Sequence, residues 1–297
     1  MVNALDQAKQ YWYPVSMLDG IPTFPNIRQT RLLGMDINLS RQRDGQIIVA
    51  HKGENWLVKE AYDHLWTSPS QTPKPLFEVP EASEQDRRFV PCGVVRVRCS
   101  PLRAVENFLD IAHFPFVHTD ILGSEPHTEV VPYSVDIDDE KDEVIATKVK
   151  FFQPQAAKSA SDGIITDYVY RVPSPMNAIL YKTCPSRDDV QDVIAIFVQP
   201  IDEETCDVWP WMALYDDDST MAEMIEFQQL IFLQDRSVLE NQVPTKLPLD
   251  PKMEIPTRAD LTSIAYRRWL KRRGALYGAL LNPTEKPSGA RNSVAAE

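Results

Sequence analysis

From Arg31 the chain alternates apolar and polar residues, with Leu33, Met35, Ile37 and Leu39 toward one face, and a second apolar run follows an Arg43-Asp44-Gly45 turn to Ala50. This pattern predicts two strands joined as a hairpin. Residues 54–66 continue as a strand or a short turn and strand. Residues 67–80 (TSPSQTPKPLFEVP) are proline-rich and read as a stiff connector. A boundary near residue 85 then separates a small β lobe, 1–85, from a larger domain, 86–281. Phe89 to Ser100, with Val94, Arg96 and Arg98 alternating, predicts a strand leading into a helix. After Gly123 come six strand-like segments: 128–137, 143–152, 164–172, 177–183, 192–199 and 207–214. Their turns are acidic or proline-bearing, as at Asp138-Asp139-Glu140-Lys141 and Pro173-Ser174-Pro175. Six successive strands with short turns suggest one antiparallel sheet covered by the helix that follows, an α+β architecture.

That helix is predicted from Ser219, as N-cap, to Gln242 ahead of Pro244. On a helical wheel Met224, Ile231, Val238 and Leu239 fall within about 60° of Asp235, while Glu226, Arg236 and Glu240 lie to the side or opposite. An aspartate on the apolar side of a helix needs a partner. Leu230 and Leu233 face away, which predicts a helix covered on more than one side. Asp216, Asp217 and Asp218 read as a solvated loop ahead of it. A last element, 258–281, carries a basic cluster from Arg267 to Arg273. It reads as a solvated final turn complementing the helix dipole, or as a docking patch for an acidic electron-transfer partner. Residues 282–297 are small and polar and are expected to be disordered.

The chemistry concentrates in 103–123, RAVENFLDIAHFPFVHTDILG, which holds two of the five histidines. On a helix Asn107, Asp110 and His113, at i, i+3 and i+6, form a polar stripe among Phe108, Leu109, Ile111 and Ala112. A metal would satisfy a histidine and a nearby carboxylate there together. Pro115 prevents one regular helix from reaching His118, so the second imidazole comes from the next turn.

Asn107-x2-Asp110-x2-His113-x4-His118, with Glu106, Phe114, Val117 and Thr119 beside it, resembles the mononuclear-iron motif of the Rieske-type non-heme iron oxygenases, the aromatic-ring hydroxylases and O- and N-demethylases. LQDRSVLENQ, around Asp235, resembles the family's second signature. The resemblance implies a helix-grip catalytic domain in which His113, His118 and Asp235 hold Fe(II) with positions open for dioxygen. It implies for Asp110 a bridge from His113 to a cluster histidine of a neighbouring subunit, and so a part in electron relay. Asn107 supports that arrangement or closes the pocket. Phe152, Tyr181, Trp211 and Phe232 are candidates to line it.

The β lobe resembles the outer strands of the Rieske domain that usually precedes this motif. Such a domain carries C-x-H and C-x2-H loops for its [2Fe-2S] cluster. This sequence has neither. Its four cysteines, Cys92, Cys99, Cys184 and Cys206, lie elsewhere and are expected to be reduced thiols, and only His51 and His64 precede the iron motif. Cluster-free members of the family include oxygenase subunits that demethylate methylxanthines with a cluster borrowed from their reductase. The resemblance therefore implies Fe(II) and dioxygen in this chain, and NAD(P)H, flavin and iron–sulfur centres on a partner reductase. The expected reaction is hydroxylation of an N-methyl group on a methylxanthine-like heterocycle, the carbinolamine then collapsing to formaldehyde. Aromatic hydroxylation or O-demethylation at the same iron, or a non-catalytic subunit, are the alternatives. A trimer or larger assembly is expected. The net charge of −12 argues against nucleic acid or anionic membrane as partner, and the sequence lacks both a signal-peptide pattern and a membrane-length apolar run, predicting a cytoplasmic protein.

Overall fold

The computed structural model describes residues 3–159, 163–250 and 252–281, so the expected disorder of 282–297 lies outside the described residues. A short helix, α1 (Ala4–Ala8), and strand β1 (Tyr13–Met17) lead into four antiparallel strands, β2 (Arg28–Leu32), β3 (Met35–Arg41), β4 (Ile47–His51) and β5 (Glu54–Asn55). The predicted strand through Leu33 is thus interrupted: Leu33 and Gly34, with φ of 52° and 78°, form the β2–β3 turn. Both turn amides donate into the large domain, Leu33 to Pro200 O and Gly34 to Ile201 O. A hairpin of β6 (Leu57–Ala61) and β7 (His64–Ser68) turns at Tyr62-Asp63, also at positive φ, and joins β1 in a three-stranded sheet.

The segment predicted as one strand over 89–100 is broken at Gly93, φ 78°, into β8 (Arg88–Pro91) and β9 (Val95–Val97). Then come α2 (Pro101–Leu109), α3 (Phe114–Val117), and the six expected strands β10 (Ser134–Asp138), β11 (Glu143–Gln153), β12 (Ile164–Ser174), β13 (Asn177–Thr183), β14 (Gln191–Pro200) and β15 (Cys206–Leu214). They lie in sequence order, antiparallel, with β8 and β9 paired to β15. β10 is shorter than predicted, since 128–133 form no strand. The chain continues through α4 (Met221–Leu239), β16 (Leu247–Pro248), α5 (Leu261–Arg273) and β17 (Ala279–Leu280).

Thr220, not Ser219, caps α4, and its side chain and Glu223 close a capping box. The helix buries Met224, Gln228, Ile231, Phe232, Asp235 and Leu239 on one face. Leu230, Leu233 and Val238 are exposed, so the chain itself covers α4 on one side only, and Val238 falls outside the buried stripe predicted for it.

The main core runs from Ala8 to Tyr277 through both predicted lobes. A second cluster, including Trp12, Trp66, Phe197, Trp209 and Trp211, seals the β1–β7–β6 sheet to β13–β15. The opposite face of the large sheet packs against α2 and α5, and the cavity lies between that face and α4. Among the described residues no helix is long and apolar enough to cross a membrane.

Candidate metal centre

α2 begins at Pro101 behind Ser100, whose hydroxyl accepts from Leu102 N–H and donates to Gly278 O. It ends one turn before the sequence pattern suggested. Asp110 is its C-cap, in extended conformation, and the Asp110 carboxylate accepts from Ala112 N–H at 2.9 Å. This local bond competes with helix continuation. Asn107, Asp110 and His113 are therefore not one helical stripe. His113 instead caps α3, a single turn in which Pro115 occupies the first positions, where a missing N–H costs nothing. His118 is the residue that ends this turn. Breaking the helix at Asp110 lets both imidazoles turn toward Asp235 on α4.

His113 Nε2 stands 3.1 Å from His118 Nε2. Asp235 Oδ1 is 3.2 Å from the first and 3.0 Å from the second. Three cis ligands on one face of an octahedral ion, each about 2.1 Å from it, stand about 3.0 Å apart, so this triangle has the size such an ion requires. Tautomers agree. His113 Nδ1–H donates to Asp110 Oδ2 at 2.9 Å and His118 Nδ1–H to Gln234 Oε1 at 2.8 Å, leaving both Nε2 atoms as lone pairs directed at a carboxylate. Without a cation that convergence is repulsive, and a proton must serve instead. Burial works against it, but Asp110 and Asp235 raise His113 to about 9; burial likewise opposes the two histidines that hold Asp235 down at about 2. Among the described residues these three are the group of histidine, cysteine and carboxylate side chains placed to hold a metal.

The triad opens into a cavity between the sheet and α4, lined by Phe108, Phe114, Tyr168, Tyr170, Ile231 and Phe232 among others. Its volume of about 100 Å³ suits one ring-sized molecule. Asn107 lines it as well. Of the four aromatics predicted to line a pocket only Phe232 does. Trp211 faces the other side of the sheet against Phe89 and Phe197, Tyr181 reaches toward Glu81, and Phe152 lies tilted against His127.

Asp216, predicted as solvated, is buried at the cavity edge, its carboxylate accepting from Ser219 N–H, Ser219 hydroxyl and Ser159 hydroxyl. Asp110 and Asn107 also line a second, outer cleft with Arg268 and Lys271. The basic cluster is only partly solvated. Arg267 is paired with Glu106 and Glu254, Arg272 with Asp139 and Arg273 with Asp142, which leaves Arg268 and Lys271 exposed at that cleft. All four cysteines are free and buried; His51 Nδ1 bonds to Asp36 O and His64 Nδ1 to Tyr62 O.

Residues 97–276 match the family model of the vanillate O-demethylase oxygenase C-terminal domain. The chain is 45% identical over 269 residues to the probable methylxanthine N7-demethylase NdmC of Pseudomonas sp. strain TJI-51, spanning 90% of this chain and 95% of that one. The chain is a Rieske-type oxygenase family member. It is 27% identical over 169 residues to the methylxanthine N1-demethylase NdmA of Pseudomonas putida, 57% of this chain and 46% of that one. The fold of this oxygenase matches that of NdmA from Pseudomonas putida CBB5 with a TM-score of 0.73 at 18% identity, over 91% and 92% of the two chains. It matches dicamba monooxygenase bound to 3,6-dichlorosalicylic acid at 0.71 and 14%, over 89% and 97%. The family resemblance and the α+β, mostly antiparallel architecture agree with these matches. Gln234 was not singled out in the sequence, although its place beside Asp235 in the second signature was available.

Proposed function

We propose that the chain is the oxygenase component of an N-demethylating system, taking a methylxanthine as substrate. The observation that carries this is the triad of lone pairs opening on a ring-sized, largely apolar cavity in a chain so similar to a probable methylxanthine N7-demethylase. His113, His118 and Asp235 are assigned to hold Fe(II), which would supply activation of dioxygen with two electrons from outside. In balance, N–CH3, O2, two electrons and two protons give N–CH2OH and water; the carbinolamine then breaks its C–N bond, returning the proton to nitrogen and releasing formaldehyde.

The chain's own residues position these events. Asp110 and Gln234 fix the imidazole tautomers, while Phe108, Phe114 and Phe232 exclude water and bracket a flat ring. Since the sequence lacks cluster loops, residues 1–85 are read as a Rieske-like lobe without its cluster, packed on the catalytic domain 86–281, and the electrons are assigned to a partner carrying a Rieske centre. The outer cleft at Asp110, with exposed Arg268 and Lys271 at its rim, is the face read as its docking place. A cytoplasmic oligomer fits this reading.

The test is formaldehyde release from 7-methylxanthine by Fe(II)-loaded protein with a Rieske-bearing reductase and NADH. Stoichiometric formaldehyde and xanthine are expected. Turnover of vanillate but not of 7-methylxanthine would move the assignment to O-demethylation.

A further inference from the structure

The sheet floor of the cavity is built in two rows. Across β12, β13, β14 and β15 the register aligns Tyr170, Leu180, Ile194 and Met212. Two residues along, roughly 7 Å away at strand spacing, it aligns Tyr168, Lys182 and Asp192. All seven line the cavity. The first row is apolar save for the Tyr170 hydroxyl, which is buried beside Asp110 and Asp235. The second row ends in a lysine and an aspartate, both buried.

A lysine in that position is costly unless its ammonium has work there. Lys182 Nζ carries three donors. Among the described residues it donates to Ala156 O and, at a long 3.5 Å, to Gln153 Oε1. Asp192 uses Oδ1 to accept from Tyr215 N–H at 3.0 Å, and a carboxylate keeps further lone pairs on its other oxygen. A donor and an acceptor thus face one another across two neighbouring strands in the wall of a cavity otherwise dominated by apolar groups.

We infer that Lys182 and Asp192 together read a lactam edge of the bound ring, Lys182 donating to its carbonyl oxygen and Asp192 accepting from its adjacent N–H. The inference rests on the methylxanthine reading and makes it more specific. The pair is already balanced in charge, and the buried Asp216 carboxylate lines the same cavity. A substrate carboxylate would add a second or third buried anion with one lysine to answer it, whereas a neutral lactam satisfies one donor and one acceptor without adding charge. Methylating the lactam nitrogen removes its proton and sets a methyl group against Asp192. A site built to hydrogen-bond an N–H discriminates strongly against a ligand lacking it.

Isothermal titration calorimetry of anaerobic Fe(II)-loaded protein with 7-methylxanthine, caffeine and vanillate tests this, since the first two share the N7 methyl group and differ in their ring N–H groups. Wild type is expected to bind 7-methylxanthine at least about tenfold tighter than caffeine and to show no vanillate binding. Lys182→Met is expected to weaken 7-methylxanthine binding about tenfold or more at unchanged iron content, and Asp192→Ala to narrow the gap between the two purines. Equal wild-type affinity for the two purines, or wild-type affinity of Lys182→Met for 7-methylxanthine, overturns the lactam assignment and leaves the demethylase reading standing. Vanillate binding without purine binding overturns both. The wild-type comparison decides even if a variant fails to fold.

Discussion

At His118 one hydrogen bond sets the direction of a lone pair. Its Nδ1–H goes to Gln234, so its Nε2 lone pair must face Asp235 and His113. Gln234→Leu removes that orientation and should weaken Fe(II) binding by about 10–100-fold, the usual effect of losing a group that orients a ligand, measured by anaerobic titration against a competing chelator. His113→Ala or Asp235→Ala should abolish stoichiometric iron while circular dichroism stays that of wild type; full iron in either variant would remove that residue from the site. Asp110→Asn should retain iron and lose most turnover, and unchanged turnover with the reductase would exclude Asp110 from electron transfer. The metal-free site has its own pH signature. His113 is raised from an ordinary value of 6.5 to about 9, against the effect of burial, by Asp110 and Asp235. Its contribution to stability is therefore complete below about 6.5 and is lost as pH rises toward 9. Chemical denaturation of metal-free protein should show that decline between pH 6.5 and 9, and His113→Ala should flatten it.

Among the elements, the strands of the large sheet were legible in sequence because each has strong alternation and turn residues at its ends. The Arg103–Gly123 stretch was legible in residue types but not in shape. Periodicity cannot register that the Asp110 carboxylate would bind Ala112 N–H, or that Pro115 would start a turn rather than stop one. Arg267 was misread for a related reason: its partners are 161 and 13 residues away in sequence, Glu106 on α2 and Glu254 before α5. This ion-pair network joins α5 to α2 directly behind Asn107 and Asp110, with Arg103 in the same cluster. Arg267→Ala removes the two-point partner of the largely buried Glu106, leaving it Arg103 at 3.3 Å, and should destabilise the fold by on the order of 2–4 kcal/mol, below a fully buried pair because Arg103 remains and Arg267 is partly exposed. A melting temperature within a degree of wild type would show that the network is not what holds α2. Thr220→Ala, which opens the α4 capping box, should cost about 1 kcal/mol by the same measurement.

Over the whole molecule, the sequence pattern gave the α+β class and the order of sheet and covering helix, since both follow from local periodicity. It could not tell concave from convex faces, so Trp211 and Tyr181 were placed at the pocket while Lys182 and Asp192 went unnoticed on the face that lines it. The small sheet buries Trp66, with Trp12 just before β1, against the back of the large sheet, and the β2–β3 turn bonds to Pro200 and Ile201, so these first strands are built into the core of the molecule. The central claim is one iron site here and electrons from elsewhere. The direct measurement is iron and acid-labile sulfide per chain on anaerobically prepared protein, with its visible spectrum. About one iron, no sulfide and no cluster absorption are predicted; roughly three irons with two sulfides would place a [2Fe-2S] cluster in this chain and contradict the account.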